Sequence, residues 1–296
     1  MKNRDFFLLV LVAAIWGVNF SLIKLGLDQI DPYLLAALRF TLCAIPAVFF
    51  VKRPQVEWKY IIAYGLVFGA LQWGFIYAAL QMGVSAGMAS MLTQTSVFMS
   101  ILLGVLLYRE TVNAPLMLGS LLSFSGVFLI FYFAESRSTI FGMVLMLAGA
   151  LAWSVSNVIA KAAQSDEPFA FFIWASLIAP LPLFGMMSLH SGAQAIPQLL
   201  AVFDGKLAFS LFFQVVPTSL FGYSMWNRMI KKYPVSQVAP MSLLVPVFGL
   251  LASVLIFAET LPLHKWMAMF LIFAGLLVQR FGQQTLLYCR LRWRAA

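Results

Sequence analysis

Charge is scarce in this chain. Of 296 residues only 10% are Asp, Glu, Lys or Arg, and ten acids face nineteen bases. A soluble globular domain carries roughly 25% charge and 45–50% apolar residues. Here the apolar fraction is 62%, more than a water-soluble fold of this length could hide. Disorder is excluded on the same ground, since it needs many charges and few apolar groups. Cysteine is nearly missing: Cys43 and Cys289 are the only two, which excludes a secreted disulfide scaffold, and Cys43 reads as a buried apolar thiol. No GxxxxGK[ST] run occurs, so no nucleotide is expected as partner or energy source. His190 and His264 stand alone, so no metal or other cofactor is expected. The clustered Asp of an embedded prenyltransferase is missing too. The remaining class is an integral membrane protein whose partners are the lipid bilayer and a small-molecule substrate. The net charge of +9 is then read as loop orientation rather than as a nucleic-acid footprint.

Long apolar runs are what the chain has instead. A helix crossing a ~30 Å hydrocarbon core needs about 20 residues. Ten such stretches are predicted, at 6–25, 33–51, 60–81, 86–107, 115–133, 140–162, 168–189, 207–229, 235–257 and 263–281. The third gap, Gln81-Met-Gly-Val-Ser85, holds no charge and is placed there because an unbroken helix from 60 to 107 would be twice too long. The runs are continuous rather than alternating, so a β-barrel is rejected. Lys2 and Arg4 ahead of the first span read as the flank of an uncleaved signal-anchor.

The basic residues sort unevenly between loops. With the N-terminus in the cytoplasm, that side holds Lys2, Arg4, Lys52, Arg53, Lys59, Arg109, Lys161, Arg228, Lys231, Lys232, Arg280, Arg290, Arg292 and Arg294. The other side holds Lys24, Arg137, Lys206 and Lys265, and Arg39 lies within span 2. The positive-inside rule therefore predicts both termini in the cytoplasm.

The chain also repeats itself. Setting Glu110 on Glu259 gives an offset of 149, at which Val105 meets Val254, Leu106 meets Leu255, Thr111 meets Thr260, Phe124 meets Phe273 and Gly126 meets Gly275. At offset 137, Ala13 meets Ala150, Trp16 meets Trp153, Val18 meets Val155 and Lys24 meets Lys161. Val84-Ser85 also matches Val235-Ser236. The predicted units are 1–134 and 135–282, followed by a basic cytoplasmic tail over 283–296. Five spans are an odd number, so two copies must cross the membrane in opposite directions. The expected fold is an all-α membrane protein of ten transmembrane helices, a 5+5 inverted-topology repeat around a central cavity. That is the architecture of carriers that alternate access.

The chain resembles the drug/metabolite transporter superfamily, and within it the EamA family, along about residues 6–281. The resemblance is carried by Ala14-Ile-Trp-Gly-Val-Asn-Phe20 with Lys24, Leu38-Arg-Phe40, Ala86-Gly-Met-Ala-Ser-Met-Leu92, Glu110, Val238-Ala-Pro-Met-Ser-Leu-Leu-Val-Pro-Val-Phe-Gly249 and Glu259-Thr-Leu261. The last blocks are most similar to the O-acetylserine/cysteine exporter branch. The resemblance implies a cavity lined mainly by spans 1, 3, 4, 6, 8 and 9, and efflux of amino acids or related metabolites. A passive channel for small solutes and an exporter of drug-like amphiphiles are the alternatives.

Polar groups inside spans are costly and mark candidate sites. Trp16 and Asn19 share one helix face, Trp153 and Asn157 another, and the repeat makes them counterparts. With Gln72, Gln94, Gln214 and Tyr223 they form the expected substrate cavity, although amides also serve as glue between helices. Arg39 and Lys24 are possible partners for a substrate carboxylate; for Arg39, snorkelling to the interface competes. No acid lies mid-span, which argues against a cation pump. Glu110 and Glu259 are expected to pair with nearby bases. Pro217 and Pro246 are expected hinges. The small pairs Ser100/Gly104 and Gly249/Ser253 are expected to pack spans 4 and 9 near the repeat axis.

Overall fold

The computed structural model describes residues 1–82, 84, 92–133, 140–257 and 262–295. Glu259, Arg137, the Thr260-Leu261 step, Gly83 and Ser85 of the 81–85 break, and all of the Ala86–Leu92 motif but Leu92 lie outside the described residues, as do the side chains of Ser253 and Cys289.

The described chain is helical. The helices are α1 Asn3–Leu27, α2 Pro32–Ala44, α3 Trp58–Tyr64, α4 Trp73–Gln81, α5 Thr95–Tyr108, α6 Ala114–Tyr132, α7 Ile140–Ala163, α8 Pro168–Ser176, α9 Pro180–His190, α10 Ala195–Val202, α11 Gly205–Phe213, α12 Ser224–Lys232, α13 Val235–Val238, α14 Val245–Phe257 and α15 Leu263–Ala295. Among the described residues, seven helices or helix runs are long and apolar enough to cross a membrane: Asn3–Leu27, Pro32–Phe49, Trp58–Ala79, Ile140–Ala163, Pro168–His190, Gly205–Lys232 and Val235–Ala252. Three shorter apolar helices, Thr95–Tyr108, Ala114–Gly126 and Trp266–Gln279, accompany them.

Local chemistry sets the ends. Asp31 caps α2 by accepting the Leu34 N–H at 2.9 Å, with Pro32 in the first turn, where its missing N–H costs nothing. Asp204 caps α11 through the Leu207 N–H at 2.8 Å, and Asn113 caps α6 through Leu116 at 2.9 Å. The seventh predicted span is broken between α8 and α9, where Pro180 and Pro182 cannot continue the ladder of α8. The loop predicted over 190–206 contains α10. Residues read as a tail after 282 continue α15 as far as Ala295.

Two segments wind as π-helix: Gly65–Gln72 joins α3 to α4, and Gln214–Tyr223 joins α11 to α12. The Val84/Val235 register has an offset of 151, and it lays residues 65–72 on 216–223. Each half of the chain therefore carries the same rare distortion at the same place. Such distortions gather at functional sites.

The most extensive helix pairing joins α6 to α15. Its contacts come in exchanged pairs. A Cβ on Gly126 would fall 2.6 Å from the Ala268 carbonyl and 3.0 Å from Ile272, while a Cβ on Gly275 would fall 2.4 Å from the Gly119 carbonyl and 2.2 Å from Ser123 Oγ. Gly119 and Ala268, like Ser123 and Ile272, are counterparts at offset 149. Only glycine permits this approach. The pattern recurs between α1 and α14: a Cβ on Gly17 would meet the Val245 carbonyl at 2.7 Å, and its counterpart Ser154 donates to the Ser96 carbonyl at 2.9 Å.

The small residues of spans 4 and 9 are used differently from expectation. Ser100 meets Asn157 of α7, Gly104 closes on the Glu110 carboxylate, and Gly249 lies against Gly17 of α1. These positions bind span 4 to span 6 and span 9 to span 1. The glycine-lined pair α6/α15 takes the repeat axis instead.

Candidate functional site

A cavity of about 70 Å³ lies between the two halves. Trp16, Asn19 and Phe20 of α1 line it, with Gln72, Trp73 and Ile76 around the first π segment. Thr93, Gln94 and Ser96 come from the start of α5, and Gly149, Ala150 and Trp153 from α7. Thr218 and Tyr223 of the second π segment, Ser242 and Val245 complete the wall.

Most of the lining is apolar, but four of its polar atoms stand without partners among the described residues. Asn19 Oδ1, Gln72 Oε1, Trp73 Nε1 and Thr218 Oγ1 are buried and accept or donate no hydrogen bond within the protein. A buried polar group left unmatched costs about 1–3 kcal/mol. Four of them around one cavity are what a polar solute would satisfy. Gln94 is partly engaged, accepting from Ser242 Oγ at 3.5 Å.

An aromatic layer forms the floor. Trp16 packs edge-on against Trp153 at 5.5 Å, and lies 4.7 Å from Tyr223 and 5.1 Å from Trp226. Phe68 meets Tyr223 at 4.5 Å and Phe172 stacks on it at 5.6 Å. The Trp16 indole donates to the Thr218 carbonyl at 3.1 Å, which pins α1 to the π segment.

The order of residues along α7 shows where the cavity ends. Gly149, Ala150 and Trp153 face it. Asn157 comes one turn later, about 6 Å further along the axis, and Lys161 about 6 Å beyond that. Asn157 is therefore beneath the floor and does not line the cavity, which differs from expectation. Its amide is already used: Trp226 Nε1 donates to Asn157 Oδ1 at 2.8 Å, and Asn157 Nδ2 donates to Ser100 Oγ at 3.3 Å. Gln214 is also off the lining. It is buried, donates to Ser210 Oγ at 3.0 Å, and leaves its Oε1 unmatched. Lys24 is exposed on the last turn of α1, two turns from Trp16, and is not part of this cavity's lining. Pro217 lies inside the second π segment, and Pro246 at the junction where 3-10 winding over Ala239–Leu244 becomes α14.

Beyond the floor an ionic cluster ties the helix ends together. Lys161 lies 3.5 Å from Glu110 and donates to the carbonyls of Tyr233 at 2.9 Å and Ile230 at 3.4 Å. Glu110 accepts the Val235 and Ser236 N–H groups at 2.8 and 2.9 Å, capping α13. Lys232 reaches Asp5 at 2.6 Å, and the Tyr233 hydroxyl joins Asp5 and the Lys2 N–H. Sequence reasoning foresaw a basic partner for Glu110 but not its use as a helix cap.

Arg39 does not snorkel. Its side chain is fully buried, with the guanidinium 4.5 Å from the centre of the Trp73 ring and 5.8 Å from that of Tyr223. Nε donates to Ser219 Oγ at 2.8 Å. Trp73 was not singled out in the sequence, where only its place beside Gln72 could have pointed to it; Thr218 was legible as a polar residue within the eighth span.

A family model described as the EamA-like transporter family matches the chain twice, over residues 4–132 and 140–280. A protein of Salmonella typhimurium strain LT2 named probable amino-acid metabolite efflux pump is 35% identical over 288 residues, covering 95% of this chain and 96% of its own. An Escherichia coli K12 protein of the same name is 33% identical over 302 residues, covering 100% and 98%. A solved structure with 19% identity matches at a TM-score of 0.76 and covers 98% of this chain and 99% of the other, which establishes the likeness of fold.

Proposed function

Because the chain belongs to the EamA-like transporter family, whose members are membrane transporters and not enzymes, we propose that it exports amino acids or their precursors through the central cavity by alternating access. The carrying observation is the set of unmatched polar atoms of Asn19, Gln72, Trp73 and Thr218 at the interface of the two halves. A zwitterion entering an apolar phase must replace lost water hydrogen bonds, and amide, indole and hydroxyl groups supply both donors and acceptors. The efflux-pump names of the two bacterial relatives favour the same substrate class.

In this reading the ten spans form two inverted five-helix units in the inner membrane, with both termini cytoplasmic. The Glu110–Lys161 end then faces the cytoplasm and is closed by the ionic cluster and the aromatic floor. In that orientation the sealed end is the inner one. Closure at one end also favours a carrier over an open pore, because exchanging the conformations of two equivalent halves moves the seal to the other side.

The test is counterflow in proteoliposomes with a panel of the twenty proteinogenic L-amino acids. Saturable uptake stimulated by the same amino acid inside is expected for at least one. Flux that is linear in concentration and indifferent to the opposite side would make the protein a channel. A reporter in the 190–206 loop should read periplasmic and one after Arg294 cytoplasmic; the reverse result would overturn the orientation.

A further inference from the structure

The most unusual charge in the molecule is Arg39. It lies in α2, seven residues after Pro32 or about 10 Å along the helix, and is 0% exposed. Nε is held by Ser219, but both terminal nitrogens are buried and have no hydrogen-bond partner. Among the described residues no carboxylate lies within 4.0 Å of it: the ion pairs join Glu57, Glu110, Asp31, Asp166 and Asp5 to other bases. A lone guanidinium in a membrane interior is costly without a counter-charge. The faces of Trp73 and Tyr223 offset part of that cost through cation–π attraction. The Tyr77 and Tyr223 hydroxyls also lie close to the guanidinium, but among the described residues neither Nη1 nor Nη2 completes a hydrogen bond.

Those donors lie directly behind the cavity wall. Trp73 and Tyr223 both line the cavity and both have their rings within 6 Å of the guanidinium, at 4.5 and 5.8 Å, and Ser219, which fixes Nε, follows the lining residue Thr218. We propose that Arg39 is the anion subsite of the transporter and takes the α-carboxylate of the transported amino acid. With Nε anchored, Nη1 and Nη2 remain as a two-pronged fork, the geometry that matches two carboxylate oxygens. Trp73 acts as a door that turns aside when the carboxylate arrives while Tyr223 stays in the floor, and the Thr218 hydroxyl and Gln72 amide face the ammonium end. The assignment rests on the amino-acid export reading. It also explains how a cavity without a single acid holds a zwitterion.

The test needs no variant to begin with. Wild-type protein in proteoliposomes is assayed for counterflow of the twenty proteinogenic L-amino acids, and each that is carried is compared with its methyl ester. Loss of the carboxylate should weaken half-saturation by about 30-fold or more, the effect of removing one partner from a buried charge pair. Arg39→Gln should abolish that discrimination, and Arg39→Lys, which keeps charge but not the fork, should restore it only in part. Esters carried as well as free acids by the wild type would overturn the subsite while leaving export intact. No counterflow of any amino acid would overturn the export reading, and the subsite with it. Tryptophan fluorescence that responds saturably to chloride but not to a carried amino acid would assign the guanidinium to an inorganic anion and overturn the carboxylate.

Discussion

Ser123 donates a hydrogen bond to the backbone carbonyl of Ile272 at 3.0 Å, and the two residues are 149 positions apart. That is the offset which superposes Glu110 on Glu259, so Ser123 touches its own counterpart. A residue in contact with its counterpart lies on the axis relating the two halves. Around it Gly126 meets Ala268 and Ile272, and Gly275 meets Gly119 and Ser123, the same contacts with the halves exchanged. The α6/α15 pair is thus the seam between the two halves, lying on the axis that relates them.

Gly126→Ala and Gly275→Ala should therefore destabilise alike, each by about 1–3 kcal/mol of overpacking, because each new methyl meets backbone that cannot yield. Thermal unfolding in detergent checks this. Gly185→Ala, with nothing within 4 Å of the new Cβ, should leave the midpoint unchanged. Equal midpoints for all three variants would remove the seam.

The seam was legible in the sequence only as a register of matched glycines, without a helix–helix contact attached to it. The apolar runs themselves were plain, because twenty-residue blocks without charge have one common use. Three features were hidden. The π winding of Gly65–Gln72 leaves no mark in the sequence, and that of Gln214–Tyr223 leaves only Pro217. The direction of Arg39 could not be read because α2 is apolar on most faces. The Trp153/Asn157 spacing correctly put both on one face of α7, but a face runs the length of a helix while a cavity spans about one turn.

Glu110→Gln should loosen the closed end. The carboxylate holds two backbone N–H groups and Lys161, all contacts made in this conformation. Weakening them by about 1.4 kcal/mol shifts the balance toward the opposite-facing state about tenfold. Labelling a cysteine at the buried position Ser224, with Cys43 and Cys289 replaced by alanine, should accelerate by that factor in Glu110→Gln. An unchanged labelling rate would make the cluster static.

Pro217→Ala should slow turnover more than it weakens binding. Pro217 has no N–H to give and sits within π winding, so the ladder there is already open. Alanine lets a regular helix close over it and stiffens the wall that carries Thr218 and Tyr223. Counterflow should show a lower maximal rate at unchanged half-saturation. A variant as fast as wild type would make the π segment a packing feature.

Asn19 and Asn157 separate binding from stability. Both are buried amides on counterpart helices, and the repeat alone would give them one role. Their surroundings differ. Asn19 lines the cavity with an unmatched Oδ1, so Asn19→Ala removes a group that only a solute engages. It should raise the half-saturating concentration roughly five- to hundred-fold, the equivalent of about 1–3 kcal/mol, with little change in thermal midpoint. Asn157 accepts from Trp226 and donates to Ser100, so Asn157→Ala strands a buried indole N–H and removes the tie between α7 and α5. It should lower the midpoint by a similar free energy while half-saturation stays near wild type in the fraction that remains folded. Measuring both quantities on both variants decides the matter: if Asn157→Ala weakens substrate binding as much as Asn19→Ala at an unchanged midpoint, the aromatic layer is not a floor and the cavity extends through it.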